Sequence, residues 1–247
     1  MHTVSSGAKA HAYEYPRPAV TVDCVIFGLD TDRGLRVLLV RRRDAPCQGM
    51  LALPGGFVRT RDSGDQGEDL EVAARRELEE ETGAKVSYLE QLFTFGKPGR
   101  DPRGRVISVA YMALVRPSDH VLAGGTDATE ADWFPAVTVL SWKRKLAFDH
   151  AEIVRMAVLR LQSKVRYAPI GFNLLPPTFT LGELQRLYES VLFRPLDKRN
   201  FRRRILSMGL LAEAGRQENV SHRAAALYRF DKRAYDSAVR DGLHFEV

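Results

Sequence analysis

The sequence predicts an α/β sandwich followed by a winged helix-turn-helix unit. Short segments rich in Val, Ile and Leu alternate with helical patterns as far as about residue 165, the order of a sheet covered by helices. A proline-punctuated stretch, Tyr167-Ala168-Pro169 to Pro176-Pro177, then interrupts the pattern. Beyond it, two helical segments joined by a short turn precede a hairpin pattern, the outline of a winged helix.

Taken in order, residues 1–17 read as a loose arm. Val20 to Leu29 and Leu35 to Arg42 read as strands joined by the turn-like Asp30-Thr31-Asp32-Arg33-Gly34. Leu53-Pro54-Gly55-Gly56-Phe57-Val58 reads as a turn and a short apolar strand. Asp69 to Thr82 is helical, with Gly83 placed as its stop. Val86 to Phe95 and Val106 to Val115 are strands around a turn-rich loop, Gly96 to Arg105. A short strand near Asp132 to Phe134 and a helix from about Asp149 to Leu161 complete a first unit, residues 18–165.

The second unit, residues 166–247, opens on the capping box Thr180-Leu181-Gly182-Glu183, in which hydroxyl and carboxylate each satisfy a backbone N–H of the other end. Leu181, Leu184, Leu187 and Val191 follow at helical spacing until Arg194-Pro195. Asp197 caps a second helix that runs to about Met208. Phe201, Ile205 and Met208 share one of its faces, and Arg199, Arg202 and Arg203 share another. Gly209 ends it. Leu210 to Glu213 and Ala225 to Phe230 then read as a hairpin with a tip at Arg216 to Arg223.

The net charge of +6 is unevenly placed. Residues 166–247 hold 14 Lys and Arg against 9 Asp and Glu, whereas the first unit is nearly balanced. Arg194, Lys198, Arg199, Arg202, Arg203 and Arg204 face a single local acid, Asp197. Such a cluster is a footprint for nucleic acid or, as commonly, a solvated basic helix. In a winged helix it lies in the DNA major groove, where arginine pairs with guanine and asparagine with adenine. Lys198, Arg199, Asn200, Arg202 and Arg203 are therefore the candidate DNA contacts, joined by Thr180 and by Arg223 at the hairpin tip. The basic helix lacks the interleaved aromatics that stack on unpaired bases, which argues against RNA.

No apolar run approaches the ~18 residues that span a bilayer, and Met1 to Val20 holds no apolar signal segment. The two cysteines, Cys24 and Cys47, have no zinc-like spacing, so a reduced cytoplasm is expected, with Cys24 in the core. His120, His150 and His222 have no partner that spacing identifies and are expected to be structural or exposed.

Arg76-Glu77-Leu78-Glu79-Glu80-Glu81-Thr82-Gly83 places Glu77, Glu80 and Glu81 on one helical face. Taken alone, this is most simply a solvated face. Three such carboxylates also suit Mg²⁺, which takes oxygen ligands and substrate phosphates. Upstream, Glu68 precedes Arg76 by eight residues, behind Gly55-Gly56. The whole pattern resembles the Nudix box of pyrophosphohydrolases that act on nucleoside diphosphates linked to another group. Eleven residues separate Gly56 from Glu68, six more than in that family, the extra ones lying within Arg59 to Gly67.

From about residue 18 to about 232 the chain is similar to the Nudix-related transcriptional regulators of NAD metabolism, the NrtR family. The segments that carry this are Gln91 to Gly96, Arg100 to Arg105, Leu146 to His150, Leu174-Leu175-Pro176, Phe179-Thr180-Leu181 and Leu196 to Arg203. The resemblance implies a dimeric repressor on a palindromic operator near genes of NAD synthesis or salvage. ADP-ribose or a related nucleotide would release it from a pocket behind Gly55 and Gly56, with Mg²⁺ on Glu77, Glu80 and Glu81. Arg100, Arg103 and Arg105 are candidate ligand or dimer contacts, or equally a solvated turn.

A second reading is a Mg²⁺-dependent ADP-ribose pyrophosphatase giving AMP and ribose 5-phosphate. By resemblance, Glu77 and Glu81 would hold metal and Glu80 would be a further ligand or orient water, while Glu68 and Arg76 pair to pin the loop. Many relatives have lost the box, whereas Glu68, Arg76, Glu77, Glu80 and Glu81 are all present here. The extra residues predict slow turnover, because a misplacement of ~1 Å can cost on the order of 10²-fold. A third reading keeps the regulator and assigns it to sugar catabolism with another effector. Regulation of NAD genes is the favoured reading.

Overall fold

The computed structural model describes residues 15–245, with 31–32, 61–66, 84–85, 87, 117–130, 143–144, 219–223 and 243–244 outside the description. The first unit is built on a mixed sheet. Its strands are β1 (Ala19–Asp30), β2 (Gly34–Arg41), β3 (Leu51–Ala52), β4 (Gly55–Phe57), β5 (Tyr88–Phe95), β6 (Val106–Val115) and β7 (Ala131–Pro135). The order is β3-β2-β1-β6-β5, with β4 paired to β1 and β7 to β2. β1 and β6 run parallel, and the other pairings are antiparallel.

β1 is buried along most of its length because its alternating side chains enter two cores. Val22, Cys24 and Ile26 meet Ala73, Ala74 and Leu78 of helix α1 (Leu70–Thr82). Val25, Phe27 and Leu29 lie in the other core with Ile153, Val154, Ala157 and Leu161 of α3 (His150–Tyr167). The sandwich is thus helix, sheet, helix, as expected. Asp69 caps α1 by accepting from the Glu71 N–H, and Gly83 closes it at φ 68° with its N–H on the Glu79 carbonyl.

Two elements depart from the sequence reading. α2 (Ala136–Ser141) was not expected, because Ala-Val-Thr-Val-Leu-Ser is short and β-branched. α3 continues past Leu161 to Tyr167 because Val165 stays on its buried face. The proline stretch then forms a 3-10 helix, Pro169–Leu174, with Ile170, Gly171 and Leu174 buried.

The second unit has the winged-helix order. β8 (Phe179–Thr180) leads into α4 (Leu181–Leu192) through the capping box, and α5 (Lys198–Ser207) follows. β9 (Leu211–Arg216) and β10 (Ala226–Phe230) form the hairpin, in a sheet ordered β8-β10-β9. A further helix, α6 (Lys232–Arg240), capped by Asp231, was not anticipated; none of its residues is buried.

The units do not have separate cores. Leu184, Leu187, Tyr188, Val191, Phe201 and Ile205 belong to the same apolar cluster as Val25, Phe27, Leu161 and Val165. α4 lies against β2 so closely that a Cβ on Gly34 would stand 3.3 Å from Ser190 Oγ. Gln162 Nε2 also donates to the Val191 carbonyl at 3.0 Å. A Cβ on Gly171 would come within 2.9 Å of Leu187 Cδ2, so the 3-10 helix presses directly on α4.

Leu187→Ala, at a fully buried position, is expected to cost about 2–5 kcal/mol in urea unfolding. Both tryptophans, Trp133 and Trp142, lie in the first unit. Because the core is shared, their fluorescence and the far-ultraviolet circular dichroism should report one coincident transition; two separated transitions would show that the units unfold independently.

Candidate functional site

The Gly55-Gly56 turn is packed against bare backbone. β4 pairs with β1 so that Gly55 stands opposite Asp23 and Gly56 opposite Val22. A Cβ on Gly55 would lie 2.1 Å from the Val22 carbonyl oxygen, and one on Gly56 would lie 2.4 Å from Glu77 Oε1. Only glycine lets the carboxylates of α1 come this close. The Gly55 N–H donates to Glu81 Oε2 at 3.0 Å.

Arg76 organises the acidic face of α1. Its Nε and Nη2 grip both oxygens of Glu68 at 3.0 and 2.5 Å, and its Nη1 reaches Glu77 Oε1 at 2.7 Å and Glu80 Oε2 at 3.2 Å. Arg59 holds Glu80 from the other side at 2.8 Å. Glu77 and Glu81 therefore face the glycine turn while Glu80 is drawn toward the arginines. Among the described residues, no three His, Cys, Asp or Glu side chains are gathered as a metal-ligand set. The expected trio of Glu77, Glu80 and Glu81 is thus not assembled in this arrangement.

The extra residues before Glu68 do not displace it. The Glu68 N–H donates to the Arg59 carbonyl at 3.0 Å, and the Arg59 N–H donates to Glu68 Oε1 at 2.8 Å. These two bonds pinch the insertion at its base, and residues 61–66 lie outside the described residues. Hydrogen bonds from Arg76 hold the Glu68 carboxyl down at about 2. Glu81 is pushed the other way, up to about 7, by burial first and then by the charges of Glu77 and Asp23; the Gly55 N–H offsets only part of this.

Beside the turn lies a cleft of about 200 Å³. Arg100 is buried within it, bonded to both oxygens of Asp149 at 2.8 and 2.6 Å and to Asp23 Oδ2 at 3.3 Å. Asp23 also accepts from Ser108 Oγ at 2.5 Å. Arg103 pairs with Asp101 and lies over the Phe57 ring at 4.9 Å, while Arg42 lies over Phe148 at 4.8 Å. Arg100 and Arg103 line the cleft, Arg100 with a buried side chain and Arg103 exposed. Arg105 is not part of it: its Nη1 donates to the Gly96 carbonyl at 2.5 Å and braces the exposed loop.

His150 had no partner that sequence spacing could show, yet it is buried at the cleft wall. Its Nδ1 accepts from the Leu53 N–H at 2.8 Å, and its Nε2 is 3.6 Å from Asp23 Oδ1. Burial lowers its pKa, so the ring is neutral with the proton on Nε2. It thereby fixes the chain leading into Gly55. The sequence reading also missed Asp23, Arg42, Phe57 and Phe148 as cleft residues. Phe57 lay in the Leu53 to Val58 segment and Phe148 in the Leu146 to His150 segment, whereas Asp23 and Arg42 carried no signal.

α5 presents the expected basic surface. Asp197 accepts from the Asn200 N–H at 2.8 Å, and Phe201 and Ile205 turn inward. Lys198, Arg199, Asn200, Arg203 and Arg204 are exposed, and Arg203 Nη2 donates to Asn200 Oδ1 at 3.1 Å. Arg202 is half-buried, so it is less available than its neighbours. Thr180 is corrected: it is buried, and its hydroxyl caps α4 through Glu183 rather than facing solvent. Arg223 and most of the hairpin tip, like His120 and His222, lie outside the described residues.

A carboxyl raised from its ordinary value of 4.5 to about 7 keeps its proton in the folded chain after the unfolded chain has released it. Stability should therefore fall as pH rises from about 4.5 to about 7 and then level off, by up to about 3 kcal/mol from Glu81. Glu81→Gln should flatten this fall in metal-free urea titrations, since a glutamine oxygen still accepts from Gly55. An unchanged slope in that variant would assign the effect to another group.

The NUDIX domain family matches residues 17–157, and the NrtR DNA-binding winged helix domain family matches residues 171–230. The chain is 38% identical over 223 residues, 90% of its length and 86% of the relative's, to the ADPR responsive transcriptional repressor NtrR of Acinetobacter baylyi. It is similar to Shewanella oneidensis NrtR complexed with a 27mer DNA, at TM-score 0.74 and 34% identity, covering 88% of this chain and 95% of that one. The NUDIX domain of the same protein complexed with ADP ribose matches at TM-score 0.52 and 34% identity, covering 62% of this chain and 94% of that one. With both domains matched in this order and nearly the whole chain covered, this protein belongs to the NrtR family.

Proposed function

We propose that the chain is a transcriptional repressor that binds an operator through α5 and is released by ADP-ribose or a closely related nucleotide in the Gly55-Gly56 cleft. The observation that carries this is the single apolar core joining the cleft to the basic helix. α3 starts in the cleft, where Asp149 and His150 are held by Arg100 and the Leu53 N–H. Its far end packs in the core that also holds α4 and the buried face of α5. A nucleotide that binds best when α3 sits in one position therefore also favours one position of α5. Release requires only that this position be the one unsuited to DNA. The relatives crystallised with DNA and with ADP ribose support both halves of this reading.

Two copies related by a two-fold axis would set their α5 helices about one turn of DNA, or a multiple, apart and read a palindrome. The regulated genes in this reading are those of NAD synthesis or salvage.

Mg²⁺ suits the acidic side of the cleft. Glu77 and Glu81 supply hard oxygen donors, and a cation beside them would offset the burial of Glu81 and its repulsion from Glu77 and Asp23. Such an ion would neutralise a pyrophosphate beside it and lower the pKa of a bound water. Slow hydrolysis of ADP-ribose is the second reading, favoured by one observation: Glu68 and Arg76 remain paired despite the insertion.

Arg199→Ala and Arg203→Ala should each weaken operator binding, by about 1–3 kcal/mol where the arginine reads a base, with ADP-ribose affinity unchanged. Fluorescence anisotropy on fragments upstream of the protein's own gene and neighbouring NAD genes checks this at fixed salt. Wild-type affinity in both variants would remove α5 from the interface. DNA binding that ignores ADP-ribose would require another effector. Glu77→Gln and Glu81→Gln should abolish any Mg²⁺-dependent cleavage of ADP-ribose, and product analysis showing unchanged turnover would place the metal elsewhere.

A further inference from the structure

A second cavity, of about 630 Å³, shares no lining residue with the Gly55-Gly56 cleft. Its walls come mainly from the 3-10 helix and the prolines after it, strand β10 and α6, joined by Arg116 after β6 and Phe179 of β8. Phe172 and Phe230 form a stacked pair with centroids 4.4 Å apart and planes at 18°. Tyr235 of α6 lies 5.8 Å from Phe230, and the buried Phe179 lies 5.6 Å from Phe172. Among the polar lining residues, Lys232 is paired to Asp236 at 2.6 Å, and Arg229 is an exposed cation.

The volume lies within the range of roughly 300–1,000 Å³ typical of small-molecule sites, which favour domain junctions, aromatic walls and a few convergent polar groups. An aromatic wall recognises a flat ring, and a guanidinium recognises an anion. We propose that this cavity is a second ligand site, for a small planar aromatic molecule bearing one anionic group such as a carboxylate or sulfonate. The ring lies along Phe172, Phe230 and Tyr235, and the anion is held by Arg229, which is exposed at the mouth. Because the walls belong to the inter-unit segment, the wing and α6, an occupant ties the wing to the segment that presses on α4. The site thus gives the protein an input separate from the cleft.

The test uses the full chain and two dyes, 1-anilinonaphthalene-8-sulfonate and its uncharged counterpart N-phenyl-1-naphthylamine. The sulfonate should saturate one site per chain, and saturating ADP-ribose should leave it bound. Arg229→Glu should weaken the sulfonate by roughly tenfold or more, as expected for loss of a charge-assisted contact, and leave the neutral dye unchanged. Tyr235→Ala should weaken both dyes, while Arg155→Glu, an exposed charge change on α3 outside the cavity, should affect neither. Circular dichroism confirms that each variant is folded. Equal sulfonate affinity in wild type and Arg229→Glu would overturn the proposal. So would displacement of the dye by ADP-ribose, or its loss at high protein concentration as a second copy covers the cavity.

Discussion

The cleft depends on one buried cation. A guanidinium removed from water costs several kcal/mol unless carboxylates meet it with good geometry. Arg100 is met by Asp149 through two bonds and by Asp23 through a third. Burial opposes its charge, but Asp149 and Asp23 outweigh that and hold its pKa above the ordinary value. The three residues come from the loop after β5, from the residue before α3 and from β1. One ion cluster therefore locks loop, helix and sheet together at the floor of the cleft. His150, next in sequence to Asp149, extends the lock to the strand that leads into Gly55.

The glutamates of α1 divide around the same site. Glu68 is so well paired with Arg76 that it remains ionised down to about pH 2, which suits a structural clasp. Glu81 lies toward the interior, near Glu77 and Asp23, and holds its proton up to about 7. Burial first, and then those two charges, disfavour its ionised form. The clasp lies just before α1 and the raised acid near its end, more than three turns on, and sequence alone gives the two carboxylates similar weight. Their environments separate them.

Much of this was legible in the sequence, and the exceptions have physical reasons. The helix caps at Gly83, Thr180 and Asp197 were readable because capping depends on residues a few positions apart. The inward face of α5 followed from helical period alone. The roles of Asp23 and His150 were not readable, since their partners lie far away in the chain and only the β1 pairing brings them together. Of the three loop arginines, residue type could not say which would meet acids; the fold buries Arg100 against Asp149 and Asp23, pairs the exposed Arg103 with Asp101, and leaves Arg105 on a backbone carbonyl. Thr180 was assigned both to a cap and to DNA, and its burial leaves only the cap.

The contact of α4 with β2 and with the 3-10 helix bears on how such proteins diversify. A reader cut away at residue 166 would lose the contacts of α4 with the sensor, those of Ser190 with Gly34 and of Val191 with Gln162, and uncover that side of the shared core. It is therefore not a portable cassette. A change of DNA specificity can be confined to the outer face of α5, and a change of effector to the cleft, because neither surface takes part in the joint. A residue placed in this joint must fit both α4 and the strand and helix it meets.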